Sequence, residues 1–360
     1  MPDRRRFLAG AIAASFTPAP TWAEAGSPRY VSAARKEDGS YALFGLTEHV
    51  QIAFEVPLPG RGHAAAAHPR RPEAVMFARR PGTYAIVIDC VSGAPLARLA
   101  APSRRHFYGH GAFSGDGSLL FTTENEYEQA IGLVGIWDTT RGYARIGEFR
   151  SGGLGPHDIR ALSDGATLVV ANGGIETHPA SGRAKLNLPT MRPNLTILDL
   201  DGDVLSMTEL DPALRQNSIR HLATGPDGAV AFAMQWQGDA FDHPPLIGIR
   251  KPDETVTLLE ADLVSHQRMQ GYAGSIAMDH FGRVAVTSPR GGRCQVFDGS
   301  TGQTLSNVAL PDVCGVALSE AGFAVTTGHG LVSMNVGMPE DRGAYFDVQW
   351  DNHLVDIHGG

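Results

Sequence analysis

The chain has 360 residues, a net charge of −8 and only 19% charged residues. An acidic, lightly charged chain lacks the basic face that nucleic acid requires and the cationic surface that anionic lipid attracts, so neither is expected as a partner. The 43 glycines and 23 prolines point to a fold rich in turns.

In chain order, Arg4-Arg5-Arg6-Phe7-Leu8 reads as a twin-arginine export signal, followed by an apolar run from Phe7 to Phe16. That run is shorter than the roughly 20 apolar residues a membrane-spanning helix needs. Small residues then offer cleavage after Ala23 or Ala25, with Ala23-Glu24-Ala25 the better match. The expectation is a leader over 1–25, a periplasmic mature protein over 26–360, and no membrane insertion after cleavage.

The remainder repeats itself. Each unit is a short apolar strand, a turn ending in Gly, a second apolar strand and a third that often ends at Asp. Units begin near Tyr30, His63, His110, His157, His221, Ser275 and Cys314. The pairs Asp38-Gly39, Asp116-Gly117, Asp164-Gly165 and Asp227-Gly228 are hairpin turns, because Gly accepts positive φ. Three or four strands every forty to sixty residues, counted seven times, predict an all-β, seven-bladed propeller in one domain. The first unit shows only three strands, and the C-terminal run Asn352–Ile357 is expected to add its missing outer strand and close the ring. Two stretches exceed the repeat, 175–194 and 239–270. Long propeller loops are where function concentrates.

His63, His110 and His157 recur at intervals of 47 residues, and His221 follows after 64. Each precedes the innermost strand of its unit, so the four share one level at one mouth of the axis. Ser32, Ser275 and Cys314 hold that register elsewhere. The ends of the second strands face the same mouth and carry Arg79, Arg80, Glu124, Asn125, Asn172, Gln235, Gln237, Arg290 and His329. Convergent imidazoles suit copper, iron or zinc, and His with Arg equally suits an anionic ligand. A histidine at the start of a blade also serves to tie backbone in the neighbouring blade. His178, in the 175–194 loop, is placed to fold over the same mouth. The other histidines, His353 among them, read as surface residues.

Three cysteines, Cys90, Cys294 and Cys314, leave at least one thiol unpaired. Cys294 and Cys314 are nearest in sequence for a disulfide, while buried thiols acting as small apolar groups are the other reading. A nucleophile elbow, a phosphate loop, a dinucleotide fingerprint and a haem-attachment motif do not occur.

Several long motifs lie on the face derived above: Tyr108-Gly-His110-Gly-Ala-Phe-Ser, Thr122-Thr-Glu124-Asn125-Glu-Tyr127, Gly155-Pro-His157-Asp158, Val170-Ala-Asn172-Gly-Gly-Ile-Glu-Thr-His178-Pro, Ser218-Ile-Arg220-His221 and Gln235-Trp-Gln237-Gly. Thr287-Ser-Pro-Arg290-Gly-Gly and Asp312-Val-Cys314-Gly-Val-Ala complete the set. Together they resemble the DUF1513 family, with Asp158 standing where Glu is expected. The resemblance implies an exported bacterial seven-bladed propeller, similar to YVTN and WD40-type propellers, with no assigned reaction. Such proteins tend to occur with imelysin-like periplasmic proteins linked to iron acquisition.

The resulting expectation is a monomeric periplasmic binding or accessory protein, with periplasmic iron-uptake proteins as partners. Its axial site takes a metal ion or a small anionic metal chelate. His63, His110, His157, His221, Glu124 and His178 are the candidate metal ligands. Arg79, Arg80, Asn125, Asn172, Gln235, Gln237 and Arg290 are the candidate ligand contacts. A propeller hydrolase or metal-dependent redox enzyme using the same site, and a docking scaffold without a ligand, are the alternatives.

Overall fold

The computed structural model describes residues 20–79, 83–338 and 342–357. The twin-arginine motif and its apolar run therefore lie outside the described residues, as does Arg80. Strand character follows burial. Second strands such as Thr167–Asn172 and Glu73–Ala78 are buried along nearly their whole length, as wholly apolar runs sandwiched between neighbouring sheets should be. Outermost strands such as Ala144–Arg150 alternate residue by residue between solvent and sheet.

Seven antiparallel sheets result. Six blades follow chain order from the axis outward, their inner strands being Gly62–Ala67, Arg105–Phe113, Pro156–Ala161, Asn217–Thr224, Ser275–Met278 and Val313–Leu318. The apolar core lies between blades rather than within them. Phe77 and Val87 of the second blade, for example, pack against Phe107, Phe113, Leu120 and Trp137 of the third. Between its outermost strand and the next blade, the fifth blade adds the single α-helix among the described residues, Leu263–Gln267. No helix there is long and apolar enough to cross a membrane.

The first blade departs from the expected order. Its outer strand is Ile52–Leu58, and the C-terminal strands Val348–Trp350 and Val355–Asp356 pair on the axial side of Tyr30–Lys36. The C-terminus thus supplies the innermost strand, broken at 351–354, and not the outer one. The reason is visible in burial: Tyr30–Ala34 is covered completely, whereas Ile52–Leu58 already behaves as an outer edge. Trp350 secures the closure. Its ring meets Phe44 and Phe346 edge-on at 5.3 and 5.8 Å, and its Nε1 donates to the Gly330 carbonyl at 3.2 Å. Ser32, expected at the axis, instead lies one strand out and donates to the His353 carbonyl at 2.8 Å.

Trp22 and Ala25, within the expected leader over 1–25, are buried among residues of the first two blades, and Trp22 Nε1 donates to the His68 carbonyl at 3.0 Å. His68 is itself a tie between blades. Its Nδ1 accepts from the Arg70 and Arg71 amides, and its Nε2 donates to the Gly117 carbonyl at 3.1 Å.

Trp350→Ala should cost about 3–5 kcal/mol of stability in urea unfolding, the usual range for truncating a buried large aromatic residue. Burial, with Arg71 adding to it, pushes the His68 imidazole from its ordinary 6.5 down to about 4. The unfolded chain therefore binds a proton that the folded one refuses. This contribution is intact above about pH 6.5 and is lost as pH falls toward 4. The urea midpoint should drop across that window, and His68→Gln should flatten the drop; an unchanged slope in the variant would remove His68 from this account.

Candidate metal centre

The axial histidines sit where the inner strands break register. Pairing skips from Gly62 to Ala65, from Phe107 to Gly111, from Pro156 to Asp158 and from Ile219 to His221. Bulges of this kind re-aim side chains. Here they release His63, His110, His157 and, beside His221, Arg220 from the ladder. Gly109 is needed for this close packing: its φ is +102°, and a Cβ would come within 2.4 Å of the His63 ring. The blade carrying Ser275 has no such irregularity.

A fifth imidazole joins from the C-terminal strand. Ring centroids run His63–His157 6.0 Å, His157–His221 4.8 Å, His221–His353 4.8 Å and His353–His63 4.9 Å, closing a circle, and His110 lies against all four, at 5.1 Å from His63 and His157, 5.6 Å from His221 and 4.8 Å from His353. Within His63, His110 and His353, and within His110, His157 and His221, the ligand nitrogens all lie within 4.8 Å of one another. His110 belongs to both groups.

The hydrogen bonds aim the nitrogens. His110 Nδ1 is 3.1 Å from Asp158 Oδ1. That carboxylate also accepts from the Ile159 amide at 2.8 Å and, through Oδ2, from the Leu222 amide at 3.0 Å. A carboxylate only accepts, so His110 carries a proton on Nδ1 and turns Nε2 toward the other rings. His157 Nδ1 donates to the Arg220 carbonyl at 3.0 Å, with the same consequence. His63 Nδ1, His110 Nε2 and His353 Nε2 are buried without a hydrogen-bond partner. Such atoms are rare in a folded protein and costly unless something else satisfies them.

Burial holds His63, His157 and His353 well below the ordinary imidazole value, with neighbouring imidazoles and arginines reinforcing it. His221 is pushed down to about 3, first by burial and then by His110. Burial alone would raise the Asp158 carboxyl, but Arg160 and His110 hold it well below the usual carboxylate range. His63, His157, His221 and His353 are thereby held as neutral imidazoles, the protonation state in which they bind metal, and a carboxylate orients His110, as in metal sites generally.

Above the circle opens a cavity of about 190 Å³, with His63 and His157 among its walls beside Arg79, Arg183, Lys185 and Arg220. Of the residues expected here, His63, His110, His157, His221 and Arg79 are brought together. Glu124 and His178 are not. The Glu124 carboxylate accepts from Arg145 Nη1 at 2.6 Å and Nη2 at 3.1 Å, and it serves as a buried ion-pair partner rather than as a ligand. His178 accepts from the Ala180 amide at 3.1 Å, faces Glu128 at 3.6 Å and meets Tyr127 edge-on. The insertion carries it past the axial mouth, over the third blade.

Most of the polar contacts expected for a ligand are also committed elsewhere. Asn172 is enclosed by Ser151, Asn194 and Thr196. Asn125 donates to the Thr177 carbonyl at 3.3 Å and Gln235 to the Ala273 carbonyl at 3.3 Å. Gln237 receives the Lys185 ammonium. Arg290 lies over the Tyr272 ring at 4.3 Å. His353, Asp158, Arg183, Lys185 and Arg220 are residues at this mouth that were not among the candidate site residues. All three cysteines are free and buried, so Cys294 and Cys314 are not a disulfide. Burial pushes the Cys90 and Cys294 thiols up to about 12.

Glu124→Gln should lower stability by about 1.5 kcal/mol, the scale for weakening a charge-assisted hydrogen bond, since Arg145 keeps Glu148 at 2.8 Å. It should leave the imidazole circle intact, which thermal unfolding together with histidine NMR spectra would check.

Known proteins place the chain as follows. The family profile described as "Protein of unknown function (DUF1513)" matches residues 56–357. No curated protein matches. Among solved structures, hydrazine synthase of Kuenenia stuttgartiensis aligns with a TM-score of 0.62 at 14% identity, covering 89% of this chain and 95% of that one. U3-55K aligns with a TM-score of 0.57 at 12% identity, covering 77% of each chain. At these identities the likeness concerns the propeller fold alone. The sequence match spans most of the propeller, including all five axial histidines, and the chain belongs to the DUF1513 family.

Proposed function

We propose that this is an exported periplasmic binding or accessory protein whose axial imidazoles take up a transition-metal ion, copper, iron or zinc, free or as a small anionic chelate. One observation carries the reading: three buried imidazole nitrogens without hydrogen-bond partners belong to one circle, at whose shared member the proton is fixed on the far side by Asp158. Histidines that only tie blades together look different. His68 uses both ring nitrogens in hydrogen bonds. An all-imidazole donor set suits these three metals. The twin-arginine motif supports the periplasmic address, and the family resemblance supports a link to iron acquisition.

Elemental analysis of protein purified from the periplasm tests the reading. Near-stoichiometric copper, iron or zinc is expected, and it should be lost when His110 and His157 are both changed to Ala. Metal-free wild type and variant with matching circular dichroism, each unable to take up added Cu(II), Zn(II) or Fe(II), would refute it. Asp158→Asn keeps the side chain's shape but no longer fixes the His110 tautomer. It should weaken metal binding by about 10–100-fold.

A further inference from the structure

We infer that the cavity above the imidazoles seats a small chelating carboxylate that must enter with the metal ion, so that protein and anion hold the metal jointly. This inference rests on the axial metal reading.

The first argument is charge. Imidazoles bring no negative charge to a metal ion, and the carboxylate that touches the circle, Asp158, already faces Arg160 at 3.6 Å. A divalent ion placed among them would bring two positive charges into a buried site with almost nothing to balance them, at high cost in a low-dielectric interior. The cavity wall compounds the problem. Arg79, Arg183, Lys185 and Arg220 line it, and no carboxylate does. Such a wall repels a bare cation and attracts an anion.

The second argument is that Arg79, Arg183 and Lys185 line one cavity with little compensation from carboxylates. Arg79 shares the Asp351 carboxylate with Arg61, at 3.3 and 2.7 Å respectively. Among the described residues, neither Arg183 nor Lys185 has a carboxylate within ion-pair distance. The Lys185 ammonium is hydrogen-bonded only to the neutral Gln237 carboxamide. Burial and then the charges of Arg220 and Arg290 lower its proton affinity below that of an ordinary lysine. An anion seated here would relieve that crowding.

The class of anion follows from shape. Guanidinium forks match planar carboxylates through paired hydrogen bonds. The cavity, about 190 Å³, holds a small molecule and not a peptide. A di- or tricarboxylate could rest one arm on Arg183 and Lys185 and turn another toward the His63 and His157 edge of the circle. The ion would then carry both neutral nitrogen and anionic oxygen donors.

The test is equilibrium dialysis of metal-free full-length protein against Zn(II) and Cu(II) at matched free-ion activity. One arm contains only perchlorate as the anion, and the other contains carbon-14-labelled citrate. Binding should be at least ten-fold tighter with citrate, with about one citrate retained per metal ion. Arg183→Gln combined with Lys185→Gln should bind the bare ion more tightly than wild type and lose the gain from citrate. These side chains lie outside the packed core, and matching circular dichroism would confirm the fold. Equal metal binding in both arms with no citrate retained would overturn the inference and leave the metal reading standing. No metal bound in either arm would overturn both.

Discussion

Ring closure is the constraint from which the rest of this structure follows. Seven sheets arranged around one axis must join the first to the last. Here they do so by laying the C-terminal strands against the axial side of Tyr30–Ala34, with Trp350 and Leu354 packed between the first and seventh blades. The closure removes an exposed inner edge. It also brings seven inner strands within reach of one another, so whatever they project inward must be mutually compatible. In five of them that projection is an imidazole. Neutral rings meeting edge to edge are tolerable there, whereas five imidazolium ions would not be.

Two buried carboxylates show how the same chemistry serves different ends. Glu124 is saturated by Arg145, supported by Thr122, and approached by Arg105 at 3.8 Å, so it has no capacity left for a ligand. Asp158 divides its acceptors between two backbone amides and one imidazole. Holding both the strand and the ring, it converts backbone order into side-chain direction. One carboxylate therefore stabilises a blade, while the other sets the tautomer at the axis.

Much of this was legible in the sequence because propeller blades repeat at nearly constant length. The 47-residue interval placed His63, His110 and His157 at one level without any structural knowledge. His221 kept that level despite a long insertion, since loops between second and third strands leave the inner strand untouched. His353 was not legible. It lies outside the repeat, in the break between two short strands whose position depends on which edge of the first sheet remains open, and that depends on tertiary packing. Glu124 and Asn172 show the opposite error. A side chain's direction is decided by local partners such as Arg145 and Ser151, which spacing does not reveal. The bulges at His63 and His110 were hidden for the same reason, and with them the way the rings turn inward.

The place of His353 has a consequence for biosynthesis. Four of the five imidazoles lie in the inner strands of the second to fifth blades, but His353 follows the last strand of the seventh. A nascent or truncated chain cannot assemble the full donor set, however well its earlier blades have formed. The imidazole cluster therefore becomes whole only when the ring has closed, and its completion reports that the seventh blade has been joined to the first.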